Sequence, residues 1–473
     1  MSAVRTPAVG RGAPGPFPSV APVPGLRRTA PPAPVRHVHL GLGSFFRAHQ
    51  AWFTHRADDG DQWGIAAFSG RSADLARRLD AQDGLYTLAT REPGGETYEV
   101  IGSLVAAHAA ADGSAWLAYL ADPTVVVLTT TVTEAGYLRG GDGGLDRGRP
   151  DVAADLAALR DERLQDVTTV PGRLVAGLVA RCRADAGPLA VVPCDNLPGN
   201  GAAVRRVVLD LAVEVSADLA TWITEQVSFV TTMVDRITPE PTAEDVARVA
   251  AGTGLDDPTA VVTEPFAEWV LCGSFPGGRP AWESAGATFT DDVARYEARK
   301  LGLLNGAHSL LAYLGSLRGH AEVAEAVADP LVRATVDRWW DEASSYLDFP
   351  ADEIAGYRAA LIARFANQAI HHRLEQIGAD GSQKLPVRIV PTLRRELAAG
   401  RAAPGATTAL AAWIASLRTG GVALRDARSD EVAALALEPL ATAVQGLLRL
   451  LDPPLAGDER LVAAVVRRVQ DLA

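Results

Sequence analysis

A chain of 473 residues is too long for one ordinary hydrophobic core, so two domains are expected. Its 48% hydrophobic and 22% charged residues are typical of a soluble globular protein. A formal net charge of -12 excludes a general polyanion-binding surface, because phosphate neutralisation needs clustered Lys and Arg, and nucleic acid is not expected as a partner.

Residues 1–34 are rich in Pro, Ala, Gly and Arg. They contain no continuous apolar segment of the kind a secretory signal needs and are read as a disordered extension. No stretch further on approaches the ~20 uninterrupted apolar residues of a membrane span. Cys182, Cys194 and Cys272 form neither a CxxC pair nor a Cys/His cluster, which fits a reduced, cytoplasmic protein without structural zinc.

Strands are predicted over 35–40, 63–68, 124–130, 189–193 and 228–234. "VVVLTTT" and "LAVVP" are continuous and β-branched, as in strands buried on both faces of a parallel sheet. Helices are predicted between them at 72–82, with Ser72 as N-cap, and at 204–219. Such alternation implies an α/β doubly wound domain over 35–287. After the boundary in "GGRPAWESAGATFTDD" the pattern is that of amphipathic helices, at 296–317, 331–346, 352–367 and 408–417. A mainly α-helical second domain is expected over 288–473.

The first predicted strand stops at Gly41-Leu42-Gly43 in "HVHLGLGSFFRAHQ". After the first strand of a doubly wound sheet, such a turn lets backbone and a helix N-terminus approach a pyrophosphate. Phe46 stands where G-x-G-x-x-G has its third glycine, and a lone GxG is also found as an incidental tight turn. Arg47 suits a phosphate or an ordinary solvated surface. In "AAFSGRSAD", Asp74 is positioned to hold the ribose hydroxyls of NAD and Arg71 to accept the 2′-phosphate of NADP. Asp74 also suits a helix first turn. The expectation is NAD, with NADP left open.

The segment "YEARKLGLLNGAHSLLAYLG" at 296–315 places Asn305 and His308 as i,i+3 neighbours, with Lys300 two turns before His308. A polar row on such a helix is usually its wet face. Gly306 argues for more, since a mid-helix glycine costs about 1 kcal/mol and marks close approach. A lysine in a cleft can be tuned by desolvation into a general base. After "LAVVP" comes "CDNLPGNG", which puts Asp195, Asn196 and Asn200 at a strand's carboxyl end. This is either an Asn/Gly/Pro turn or a site where Asn196 stabilises a developing alkoxide.

Together "HLGLGSFFRAHQ", "TVTEAGY", "CDNLPGNG", "MVDRITP", "EPFAEWVL", "FPGGRPAWE" and "KLGLLNGAHSLLAYLG" resemble the mannitol dehydrogenase family, the polyol-specific long-chain dehydrogenases/reductases. The likeness runs from Val35 to at least Leu397. It implies a Rossmann-type domain, a helical domain, an active site between them, and metal-independent NAD- or NADP-linked oxidation of a sugar alcohol or aldonate. In the motif K-x-x-x-x-N-G-x-H it implies Lys300 as general base, Asn305 with Asn196 polarising the reacting oxygen, and His308 orienting the substrate. Gly41, Gly43 and Phe45 match the family's own G-x-G-x-F turn, with Arg47 and Asp74 completing the expected cofactor contacts. Asp235 and Arg236 of "MVDRITP" fit cofactor contact or a domain junction equally, and Glu297 fits a proton gate or an exposed helix position.

"HHRLEQIGADGSQKLPVR" resembles the fructuronate reductase pattern H-R-x-x-Q-I-x-x-D-G-S-Q-K-L-P-x-R. Mannitol 2-dehydrogenases more often carry Arg at the place of Gln376. Lys384 and Arg388 suit a uronate carboxylate or a surface turn. His371 and His372 are read as surface residues of a helix, without a third metal ligand. The expected reaction is D-fructuronate/D-mannonate interconversion, the alternative being mannitol 2-dehydrogenase or another polyol dehydrogenase. A non-catalytic dinucleotide sensor is disfavoured because it has no need of Lys300. The sequence assigns no oligomeric state.

Overall fold

A computed structural model describes residues 24–472 except 71 and 421–424. Its main sheet contains β1 (Val35–Leu40), β2 (Gly64–Phe68), β5 (Leu104–His108), β6 (Val127–Thr130), β7 (Leu189–Pro193) and β8 (Val227–Phe229) in the order β5-β2-β1-β6-β7-β8. All of its pairings are parallel. β2, β6 and β7 are buried along their whole length, which is why they read as unbroken apolar runs. Strand order reverses beside β1, with β2 on one side and β6 on the other. Open α/β sheets bind ligands at the carboxyl ends of strands at such a point.

Two features of this domain depart from the prediction. The hairpin of β3 (Tyr86–Glu92) and β4 (Gly95–Ile101) pairs with β10 (Val261–Thr263) in a separate sheet. The strand expected over 228–234 is two strands. After β8 the chain enters β9 (Thr231–Asp235), which pairs with β11 (Glu268–Cys272), itself paired with β12 (Thr288–Phe289). The buried Asn200 side chain causes the change of sheet. Its Oδ1 accepts from Thr232 N at 2.9 Å and its Nδ2 donates to Thr232 O at 3.1 Å, taking the place of a ladder partner.

The helix expected over 204–219 runs as Asn200–Val215 and Ala217–Gln226, broken at Ser216, whose hydroxyl accepts from Leu219 N. The helix beginning near Ser72 starts at Asp74, and Ser72 Oγ accepts from Asp74 N at 3.1 Å. The expected extension needs a correction over 24–34, its first 23 residues lying outside the described ones. Leu26 is buried, and Arg28 donates to the carbonyls of Asp83 and Gly102, both at 2.7 Å. These bonds satisfy backbone at the end of β4, so the segment is ordered packing.

The second half is helical. At its centre lies Gly306–Leu317, buried at every residue from Gly306 to Gly315. It packs against Pro404–Thr419, Leu374–Gly378, Val323–Ala328 and Pro330–Ser344 in a core holding Trp339, Trp340 and Trp413. Among the described residues no helix is long and apolar enough to cross a membrane.

Candidate functional site

The turn after β1 sits at the strand-order reversal. Gly41 has φ +117°, and a Cβ there would lie 2.3 Å from Thr131 O, so only glycine lets the turn pass the end of β6. The helix that follows, Ser44–Ala48, is one turn and a half long. It breaks at His49 and the chain re-enters a helix at Gln50–Arg56; Phe46, at the third-glycine position, is fully buried with its ring stacked on His39 at 3.6 Å. Phe45 stacks on His49 at 5.0 Å and packs with the cluster around Trp269 and Trp282.

A groove of about 430 Å³ opens at this turn, lined by Gly43, Ser44, Arg47, Asp74, Arg78 and Glu240, among others. Arg47 is not a solvated surface residue. Only 3% exposed, its guanidinium donates to the carbonyls of Thr259 and Gly43 and so braces the turn. Asp74 is exposed at the rim and pairs with Arg77 one helical turn on, which draws its pKa down. The alternative Arg71 lies outside the described residues.

The lysine segment holds a feature that helical periodicity could not show. Between the α-helices Ala294–Arg299 and Gly306–Leu317, residues Lys300–Asn305 form a π-helix. An i→i+5 repeat draws Lys300 and Asn305 towards one side, whereas at 100° per residue they would diverge. The carbonyls that a π-segment loosens are taken by two indoles: Trp339 Nε1 donates to Gly302 O at 2.9 Å and Trp340 Nε1 to Leu303 O at 2.8 Å. Gly306 has its reason here too, since a Cβ would lie 2.5 Å from the Trp339 ring.

Lys300 Nζ donates to Val234 O at 2.6 Å and to Asn196 Oδ1 at 2.7 Å. Burial lowers its pKa below the ordinary lysine value, partly opposed by the Asp235 carboxylate. A cleft of about 250 Å³ is lined by Asn196, Glu297, Lys300 and Asn305 together with Asp195 and Val234. Glu297 lies one turn before the lysine and accepts from Gly199 N at 3.0 Å. Burial raises its pKa.

Behind the lysine lies a cluster that no single sequence segment reveals. Arg364, on the helix Ala351–Phe365, donates to both oxygens of Asp235 at 2.7 and 3.0 Å and to both of Glu264 at 2.7 and 2.9 Å. Their side chains are at most 6% exposed. Asp235 is therefore a junction between the two halves. Arg236 likewise binds within the protein, donating to Glu264 O at 3.2 Å and to Ala48 O.

His308 is buried, and its pKa is held well below the ordinary value by burial and neighbouring cations, so it acts as a neutral ring. The surface reading of the histidine pair is half wrong. His371, at φ +49°, turns the chain: it is exposed and meets Glu322 at 3.2 Å, while His372 turns inward with its ring 5.0 Å from His308. Burial and Arg364 push His372 down to about 4.

Arg388 donates weakly to Asn305 O at 3.4 Å and Ser309 Oγ at 3.3 Å, and Lys384 to Ile377 O at 3.1 Å. Among the described residues neither meets a carboxylate. The structure thus joins Lys300, Asn196 and Asn305 in one cleft, with Arg388 reaching Asn305. Lys384 stands one turn further off on the same helix, Gly381–Arg388. The groove at Gly43 and Asp74 is a separate space.

Comparison with known proteins gives two adjoining matches: the mannitol dehydrogenase Rossmann domain over residues 35–284 and the mannitol dehydrogenase C-terminal domain over 292–467. The chain is 38% identical to a mannitol 2-dehydrogenase of Cereibacter sphaeroides, covering 80% of this chain and 79% of the relative. It is 37% identical to a D-mannonate oxidoreductase of Escherichia coli (strain K12), again covering 80% and 79%. Among solved structures, the ternary complex of Pseudomonas fluorescens mannitol 2-dehydrogenase with NAD and D-mannitol superposes with a TM-score of 0.81 at 36% identity, covering 96% of this chain and 94% of that one.

Proposed function

The chain belongs to the mannitol dehydrogenase family, and from that premise we propose that it is an NAD-dependent, metal-independent dehydrogenase interconverting D-fructuronate and D-mannonate. The observation that carries the chemistry is the hydrogen bonding of Lys300. A neutral amine has two N–H groups, and Val234 O and Asn196 Oδ1 accept them. Its lone pair is left for the substrate hydroxyl, and desolvation makes the neutral form accessible.

The glycine turn at the strand-order reversal, free of side chains at Gly41, and the groove reaching Asp74 fit a dinucleotide. When bound, its nicotinamide supplies the hydride acceptor. In oxidation Lys300 Nζ takes the hydroxyl proton as the carbon gives up hydride. The Asn196 amide, oriented by giving its oxygen to Lys300, turns Nδ2 to the alkoxide-like oxygen, and Asn305 supplies a second donor. His308, being neutral, holds substrate hydroxyls by hydrogen bonding. Glu297, buried beside Lys300 with a raised pKa, is suited to pass the proton outward.

The uronate is favoured because Arg388 sits by Asn305 with no carboxylate partner among the described residues, and a buried cation gains most from an anionic partner. Arg388→Ala is expected to raise KM for D-fructuronate by about 10- to 100-fold, the worth of a charged hydrogen bond, and to change KM for D-fructose much less. Equal effects on both sugars would remove the residue from carboxylate recognition. Asp74→Ala is expected to relax the preference for NADH over NADPH, read as the ratio of kcat/KM values, and an unchanged ratio would take Asp74 out of the cofactor site.

The reading as a whole is tested by oxidation of NADH and NADPH with D-fructuronate and D-fructose, using chelator-treated protein. Faster turnover of fructuronate with NADH is expected. The similar identities to both named relatives make mannitol 2-dehydrogenase the second reading, which preference for fructose would establish. Failure to turn over any ketose or keto acid would end the dehydrogenase reading.

A further inference from the structure

The loop 194–199 that carries Asn196 has no regular structure of its own, yet Asn196 must hold its amide within hydrogen-bond reach of Lys300. Three side chains fasten the loop, one of them Asn200, whose Nδ2 donates to Asp195 O at 3.4 Å. Glu297 of the helical half accepts from Gly199 N at its far end. At its near end Asp195 is gripped from inside the Rossmann domain: Tyr137 Oη donates to Asp195 Oδ2 at 2.6 Å, while Leu197 N donates to Oδ1 at 2.9 Å. With its proton committed to the carboxylate, Tyr137 Oη accepts from Thr130 Oγ1 at 2.8 Å. Thr130 is the last residue of β6, held in register by β1 and β7.

The chain Thr130–Tyr137–Asp195 thus runs from the rigid sheet to the residue next to Asn196. Tyr137 is fully buried, while Asp195, on the lining of the cleft, is 8% exposed, so solvent does not compete for the tyrosine hydroxyl. A hydroxyl buried among apolar side chains has little reason to be there unless it has a partner to hold. Leu138, at φ +53°, turns the chain directly after the tyrosine.

We propose that Tyr137 is a positioning residue that sets Asn196 through Asp195. The proposal rests on the dehydrogenase reading above for what Asn196 does, but not for the coupling itself. Rotation of the loop by loss of this strut moves the Asn196 amide away from both Lys300 and the reacting oxygen. Tyr137 is fully buried and lines neither the cleft nor the groove.

The test uses Tyr137→Phe, Asn196→Ala and the double variant. Two readouts are taken: kcat with the preferred sugar, and the rate at which acetic anhydride acylates Lys300, followed by peptide mass spectrometry. Tyr137→Phe is expected to lower kcat by about 10- to 100-fold, the scale of a small misplacement of a catalytic group, with NADH affinity unchanged. Lys300 should acylate faster, because its ammonium form loses an acceptor.

In the Asn196→Ala background the same change should add little to either effect, since coupled residues do not add. Multiplying losses, or wild-type kcat and acylation in Tyr137→Phe, would overturn the proposal. Should Tyr137→Phe fail to fold, Thr130→Val cuts the strut at its other bond and is expected to show the same non-additivity. A wild-type protein inactive on all sugars would sink the dehydrogenase reading alone, and Lys300 acylation would still decide the role of Tyr137.

Discussion

Replacing Lys300 by Ala is expected to lower kcat for alcohol oxidation by about 10²- to 10⁴-fold, the usual worth of a positioned general base, with almost no change in NADH affinity. The separation is expected because Lys300 lies in the cleft with Asn196 and Asn305, whereas the groove by Gly43 and Asp74 is lined by other residues. The pH dependence gives a second signature. Oxidation needs the neutral amine, so kcat/KM for the alcohol should rise with pH through an ionisation below the ordinary lysine value, since burial disfavours the charged form. Reduction of the ketone needs the ammonium and should fall through the same ionisation. Lys300→Ala should abolish both limbs, and a variant that keeps wild-type rates and limbs would assign the base elsewhere.

Arg364→Met is expected to destabilise the fold by about 3–5 kcal/mol, the cost of leaving buried charges without their partner. Asp235 and Glu264 each give both oxygens to this one guanidinium, and neither can reach solvent. Without it the native pKa values of both carboxyls rise above their unfolded values, so the native state binds more protons than the unfolded one. The stability deficit should therefore shrink as pH falls towards 5. Urea unfolding midpoints of wild type and variant across pH check both the size and the sign. An equal midpoint at neutral pH would mean that the cluster is solvated or otherwise compensated. Activity should fall as well, because the carbonyl that orients Lys300 belongs to Val234, next to Asp235 in β9.

Much of the site was legible along the chain because local motifs carry it. The glycine turn follows a buried strand, C-D-N ends another, and the lysine, asparagine and histidine share one helical segment. Less legible were the residues whose partners are distant in sequence. Arg47 reads as surface or phosphate ligand until Thr259 is seen against it. His372 reads as one of two surface histidines until the positive φ of His371 turns it towards His308. Glu264 and Arg364 are a hundred residues apart, and neither stands in a motif that points to the other.

The α/β order of the first half, the helical second half and the residue types of the proposed catalytic group could be read from the chain alone. Hydrophobic periodicity and local turn chemistry act over a few residues and can be read without partners. The tertiary structure decided that Lys300 and Asn305 face one cleft, because the π-helix between them needs the Trp339 and Trp340 indoles to donate to its carbonyls. It also decided that β9 leaves the main sheet, because the buried Asn200 amide takes the hydrogen bonds of Thr232. In both cases a backbone departure from regular geometry persists because a distant side chain satisfies the polar groups it exposes.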